Sequence, residues 1–166
     1  MITLLGMLLL GLATILQTTI ASQISLLQGT VDLVLLTYLS WALRKETSGI
    51  WQWGLIAGMS IGFTSQLPIW LPVGTYMLIT LFINLLKTRI WQVQVISLFT
   101  TTILTTFVVL TLQWAIVVVQ GSQINFSQAF NLVILPSMVL NLLVAFPIYG
   151  LMGELTVRIY PPTESS

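Results

Sequence analysis

The sequence predicts an all-α, polytopic membrane protein with six transmembrane helices in one bundle, and three observations predict it. Hydrophobic residues fill 57 % of the 166 positions, charged residues only 5 %, and mean hydropathy is +1.02; ordinary soluble domains are about 25 % charged. Uncharged apolar runs recur along the chain near the length of about 20 helical residues that crosses a hydrocarbon core of about 30 Å. The five basic residues all follow even-numbered runs. One integral membrane domain over residues 1–160 and a flexible tail over 161–166 account for the whole chain, with no length left for a soluble domain.

Residues 2–20 form the first run. It resembles a secretory signal only loosely, since no basic region precedes it, and it reads as span one. Gln17 near its end is an intramembrane or interfacial amide. The polar link that follows holds Gln23 and Gln28 and enters span two, apolar over 31–43 except for Asp32. That acid reads either as a helix N-terminal carboxylate at the water interface, favoured by the helix dipole, or as a buried polar contact to a neighbouring helix. Arg44, Lys45 and Glu46 make a charged turn, flanked by Trp41, Trp51 and Trp53 in the manner of an aromatic belt.

Span three covers 50–67 and span four 72–86, joined by an uncharged connection with Pro68, Pro72 and Trp70 that suits the opposite interface. Lys87, Arg89 and Trp91 return the chain to the charged face. Residues 93–119 make span five. Its threonines at 100, 101, 102, 105 and 106 are expected to bond backbone or adjacent helices within the core, with a polar-lined cavity as the minority reading. Span six covers 130–155, where Pro136 and Pro147 are expected to kink the helix and release carbonyls. Asn141 falls near mid-depth, as structural glue between helices or as part of a ligand or partner site. In the glue reading Asn141→Leu costs little, because it removes the amide instead of stranding it.

The most informative stretch is GLIAGMSIGFTSQLPIWLPVG at 54–74. Steps of four residues advance a helix by 400°, so Gly54, Gly58 and Gly62 share one face, a smooth groove of small residues where another helix can approach closely. Packing within the bundle and docking of a partner helix both use such a groove, and part of this one is assigned to a partner.

Arg44, Lys45, Lys87, Arg89 and Arg158 lie on one side, while the connections after spans one, three and five are uncharged. The positive-inside rule then places both termini in the cytoplasm. Histidine and cysteine are absent and only four acids exist, so no imidazole base, thiolate, metal centre or carboxylate pair is expected, and with them no catalytic residue and no cofactor. A net charge of +1 gives no nucleic-acid surface.

Gln17 ending span one, Val31-Asp32-Leu33 opening span two, GLIAGM at 54–59 followed by Pro72 and Gly74, and PSMVLNLLVAFPIYGLM at 136–152 together resemble MreD, the membrane protein family of the bacterial rod-shape system. Its fold is similar to the six-helix S-components of energy-coupling-factor vitamin transporters. Where many such sequences have proline before the acid of span two this chain has Val31, and it lacks the span-three aspartate they carry near Gly62. The resemblance implies a non-enzymatic subunit of the cell-elongation complex in the bacterial plasma (inner) membrane. It further implies binding to MreC, a bitopic membrane protein, and an indirect link to MreB and the peptidoglycan synthases. The rival reading is an S-component-like subunit that captures a small molecule, such as a vitamin, in an outward-open cavity supplied by Trp70, Tyr76, Gln113, Trp114 and Asn125.

Overall fold

The computed structural model describes residues 2–19, 23, 25–44, 47–87 and 94–159. Helix α1 spans Ile2–Thr19, α2 Leu33–Ala42, α3 Ile50–Thr64, α4 Trp70–Lys87 and α5 Gln94–Val119. The last helix, α6, runs over Phe126–Ile159. It opens with a short α-helical turn, Phe126–Ala129, passes through a π-helical turn, Phe130–Ile134, and continues as Leu135–Ile159. Ahead of α2 lies a small antiparallel hairpin, β1 (Ser25–Leu26) and β2 (Gly29–Thr30), with Ser25 opposite Thr30.

Among the described residues two helices are long and apolar enough to cross a membrane: residues Val95–Val119, with mean hydropathy 2.2, and Phe126–Ile159, with 2.1. Their surroundings are equally apolar. Leu8, Phe63, Leu85 and Leu143 each stand about 70 % exposed, at 73, 71, 70 and 69 %, so the helices turn large hydrocarbon side chains outward where a soluble fold would place charge.

Helix α2 is the axis of the molecule. Every residue from Val34 to Ala42 is buried, and α1, α3, α5 and α6 pack around it. A helix enclosed on all sides needs no polar face, which is why its sequence, LVLLTYLSWA, shows no stripe. Ten residues rise only about 15 Å, roughly half of a hydrocarbon core. The expected second span is therefore an extended segment followed by a half-length helix.

The α3–α4 hairpin is the tightest pair. A Cβ on Gly58 would stand 2.7 Å from the Val73 Cα, and one on Gly62 2.8 Å from Ile69 Cγ1; at Gly54 it would collide with the Thr80 hydroxyl. All three glycines are buried. The expectation that part of this face serves a partner is thus corrected: α4 covers it at Gly54 and Gly58, and Ile69 of the connection covers it at Gly62. The short connection at 65–69 turns α4 back antiparallel onto α3, and sequence neighbours joined by short loops reach such a groove first.

At the opposite end of the molecule Trp41 and Trp53 are fully buried and stack at 4.3 Å with an interplanar angle of 2°. Only Trp51, 48 % exposed, stands where the aromatic-belt reading had placed all three. Arg44 leaves the end of α2, donates to the Tyr149 carbonyl of α6 and lies 4.2 Å from the Tyr149 ring centroid. Arg158 occupies the last turn of α6, so Arg44 and Arg158 share one end of the bundle. Lys45, Glu46, Arg89, Trp91, the Lys87 side chain and the tail 161–166 lie outside the described residues.

Candidate functional site

The site begins with a proline. Pro136 has no N–H, so the carbonyl of Leu132, four residues earlier, loses its helical donor. The turn containing Leu132 is π-helical, and the Leu132 carbonyl accepts the Gln28 N–H at 3.0 Å. Pro147, on an exposed face, is carried within the continuous helix Leu135–Ile159.

Two further bonds follow in register. The Thr30 N–H donates to Ser137 Oγ at 3.0 Å, and the Asp32 N–H donates to Asn141 Oδ1 at 2.8 Å. Alternate amides of an extended chain point the same way and repeat every 6.7 Å or so. Four to five residues of helix rise about 6–7.5 Å. Acceptors at 132, 137 and 141 therefore match donors at 28, 30 and 32, and the segment entering α2 is laid along α6 as a strand is laid along a sheet edge.

Gly29 makes the approach close enough. A Cβ there would stand 2.6 Å from the Ser137 nitrogen and 2.7 Å from Pro136 Cβ, distances no side chain tolerates. Leu27, at the turn of the hairpin, has φ 56°, a left-handed conformation uncommon for a branched residue.

Helix α2 then starts inside the molecule, where its first amides cannot reach bulk water and must find partners. Gln17 Oε1, from α1, accepts the Val34 N–H at 3.1 Å. Asp32 is the N-cap, accepting the Leu35 N–H at 2.9 Å through Oδ1 while its carbonyl accepts from Leu36 at 3.0 Å. Asn141 closes the junction by donating through Nδ2 to Thr106 Oγ1 of α5 at 3.0 Å. The three polar residues picked out along the sequence, Gln17, Asp32 and Asn141, thus meet at one place. Asp32 combines its two readings: it caps a helix, yet half-buried and beside side chains of α1 and α6.

Above the junction lies a cavity of about 310 Å³, lined among others by Gln17, Asp32, Ser65, Thr106, Gln113 and Asn141. Thr18 at the end of α1 and Thr64 at the end of α3 also line it, so it extends from the start of α2 toward the end of the bundle remote from Arg44. A separate, narrow space of about 10 Å³ adjoins it, sharing Asp32, Ile61, Val109 and Gln113 and reaching Thr75 and Tyr76. Of the five residues expected to supply a pocket, Gln113 and Tyr76 therefore line this space, and Trp114 lines with Gln113 a separate groove of about 390 Å³. Trp70 is 63 % exposed, Trp114 donates to the Ile124 carbonyl at 3.1 Å, and Asn125 caps α6 through the Ser127 N–H at 3.3 Å.

The threonines of α5 divide. Thr101, Thr102, Thr105 and Thr106 are buried and Thr100 is exposed; Thr105 bonds back to the Thr101 carbonyl at 2.6 Å, and Thr106 alone of the group reaches the junction. Thr106 bonds an adjacent helix, as was expected of its group; Ser137 and Gly29 had no assignment from sequence. The signal for the last two is the pairing of a proline that frees a carbonyl with an extended, glycine-bearing segment elsewhere in the chain. Comparison with family models, curated proteins and solved structures gives no match.

Proposed function

We propose that this chain is a six-span membrane subunit, non-enzymatic, of the bacterial cell-elongation complex, and that it binds an MreC-like bitopic partner in the plasma membrane. The observation that carries the reading is convergence. Gln17, Val31-Asp32-Leu33 and the 136–152 stretch, which bear the resemblance to MreD, are far apart in sequence and form one hydrogen-bonded junction. Such a junction gives the motif a physical purpose: it allows a span to begin as extended chain at depth with its amides satisfied.

A membrane setting is supported by the outer surface. Only 22 % of the hydrophobic window of α5 and 28 % of that of α6 is buried, so most of each apolar helix is left at least partly uncovered, open to lipid or a partner span. With the glycine face covered within the chain, the partner is assigned to these uncovered faces. Co-purification with an MreC-like protein expressed in the same membrane tests the proposal. A stoichiometric complex that survives detergent is expected, and its absence under conditions where both proteins are folded overturns it.

The cavity above Asp32 favours a second reading, an S-component-like subunit that captures a small molecule. Its volume is at the lower end of the range for ligand pockets, about 300–1,000 Å³, and its walls combine apolar side chains with converging amides and hydroxyls.

A further inference from the structure

We infer that the cavity above α2 binds a small organic amine in its ammonium form, with Asp32 as counter-charge and the Tyr76 and Ser65 hydroxyls as acceptors. The inference rests on the small-molecule reading and names the chemistry of the ligand.

Among the described residues Asp32 is the only charged side chain lining the cavity and the narrow space beside it. The structure binds one of its carboxylate oxygens, Oδ1, to the Leu35 N–H. The described basic side chains are remote from it: Arg44 is held by Tyr149 and Arg158 sits in the last turn of α6, both at the other end of the bundle. A carboxylate at depth with no cation beside it calls for one.

The second observation is independent of Asp32. Tyr76 is 1 % exposed and its hydroxyl has no hydrogen-bond partner among the described residues, while the residue lines the narrow space with Asp32 and Gln113. The Ser65 hydroxyl, on the wall of the main cavity, is also unpartnered. Neighbouring Tyr38 shows what a satisfied hydroxyl looks like here, bonded to Thr80 at 2.6 Å. Buried hydroxyls left without partners are costly and uncommon.

The sign of the ligand follows from what is already occupied. Helix N-termini attract anions through free amides, but at α2 Gln17 has taken the Val34 N–H and Asp32 the Leu35 N–H. An anion entering the cavity meets a carboxylate and, among the described residues, no lining cation. An ammonium group, with three donors and no acceptor, meets a carboxylate, two hydroxyls and the Gln113 amide.

The test uses the full chain in nanodiscs, with ethylamine, ethanolamine, putrescine and agmatine as cationic probes and ethylene glycol and 1,4-butanediol as neutral ones. At least one amine is expected to bind and to raise the melting temperature. Asp32→Asn, which keeps an equally good N-cap, is expected to weaken that binding on the order of tenfold to a hundredfold while the protein stays folded. Tyr76→Phe separates a ligand role from a packing role: it is expected to weaken amine binding without lowering the melting temperature of the free protein, whereas a packing role alone leaves amine affinity unchanged. Amine affinity equal in wild type and Asp32→Asn, or no binding by any amine, overturns the inference. Binding of the neutral diols without the amines also overturns it, while leaving the cavity a small-molecule site.

Discussion

Asn141 accepts the backbone N–H of Asp32 at 2.8 Å, across 109 positions of sequence, and with its other amide atom holds Thr106 of α5 at 3.0 Å. One side chain thereby fixes the entry to α2 against two helices. Asn141→Leu consequently does more than remove a polar group. It leaves the Asp32 N–H without its acceptor, and the cost of a stranded buried donor is about 1–3 kcal/mol. Thermal unfolding in detergent is expected to show that loss, reversing the expectation of a near-neutral change; an unaltered melting temperature would mean that water reaches the junction.

Gly29→Ala is expected to lift the hairpin from α6. The added methyl has the backbone of Ser137 in its way, and backbone cannot rotate aside as a side chain does. Hydrogen exchange reads the result directly: the Gln28 and Thr30 amides are protected in the wild type and become fast in the variant, while amides in the middle of α5 stay protected.

Gly58→Leu is expected to unfold or aggregate the isolated chain in detergent, because the Val73 backbone lies against that position. Gly74→Leu is the matched control on α4, where a Cβ meets nothing within 4 Å, and it is expected to leave the stability within about 0.5 kcal/mol of wild type. A stable Gly58→Leu that loses only complex formation would return the glycine face to the partner.

The sidedness of the basic residues predicts that the loop holding Ser48 is cytoplasmic and the loop holding Gln123 is external. The chain contains no cysteine, so Ser48→Cys and Gln123→Cys each provide a unique thiol. A membrane-impermeant maleimide applied to intact cells is expected to label the second and spare the first. The reverse pattern would invert the topology.

How much of this was legible in the sequence depends on the range of the physics involved. Helices α1, α3, α4 and α5 follow from runs of apolar residues, a local property, and their ends fall within a few residues of the expected ones. The polar residues Gln17, Asp32 and Asn141 were visible because an amide or acid in an apolar run has a cost wherever it lies. What they touch was not visible, since the match of donors at 28, 30 and 32 to acceptors at 132, 137 and 141 depends on how two distant segments lie together. Trp41 and Trp53 were misassigned to an interface for the same reason: composition near a charged turn says nothing about a stacked pair inside the bundle. The glycine face was located correctly and its occupant was not, because spacing defines a groove without naming the helix that fills it.

A role in cell elongation is tested most directly by cell shape on depletion of this chain from its host. Rods are expected to widen and round up within a few generations, with loss of peptidoglycan insertion along the side wall and with dispersal of the MreC-like partner. Depleted cells that keep their width and side-wall insertion, and instead lose uptake of an amine, would contradict that role and leave the substrate-capturing subunit in its place.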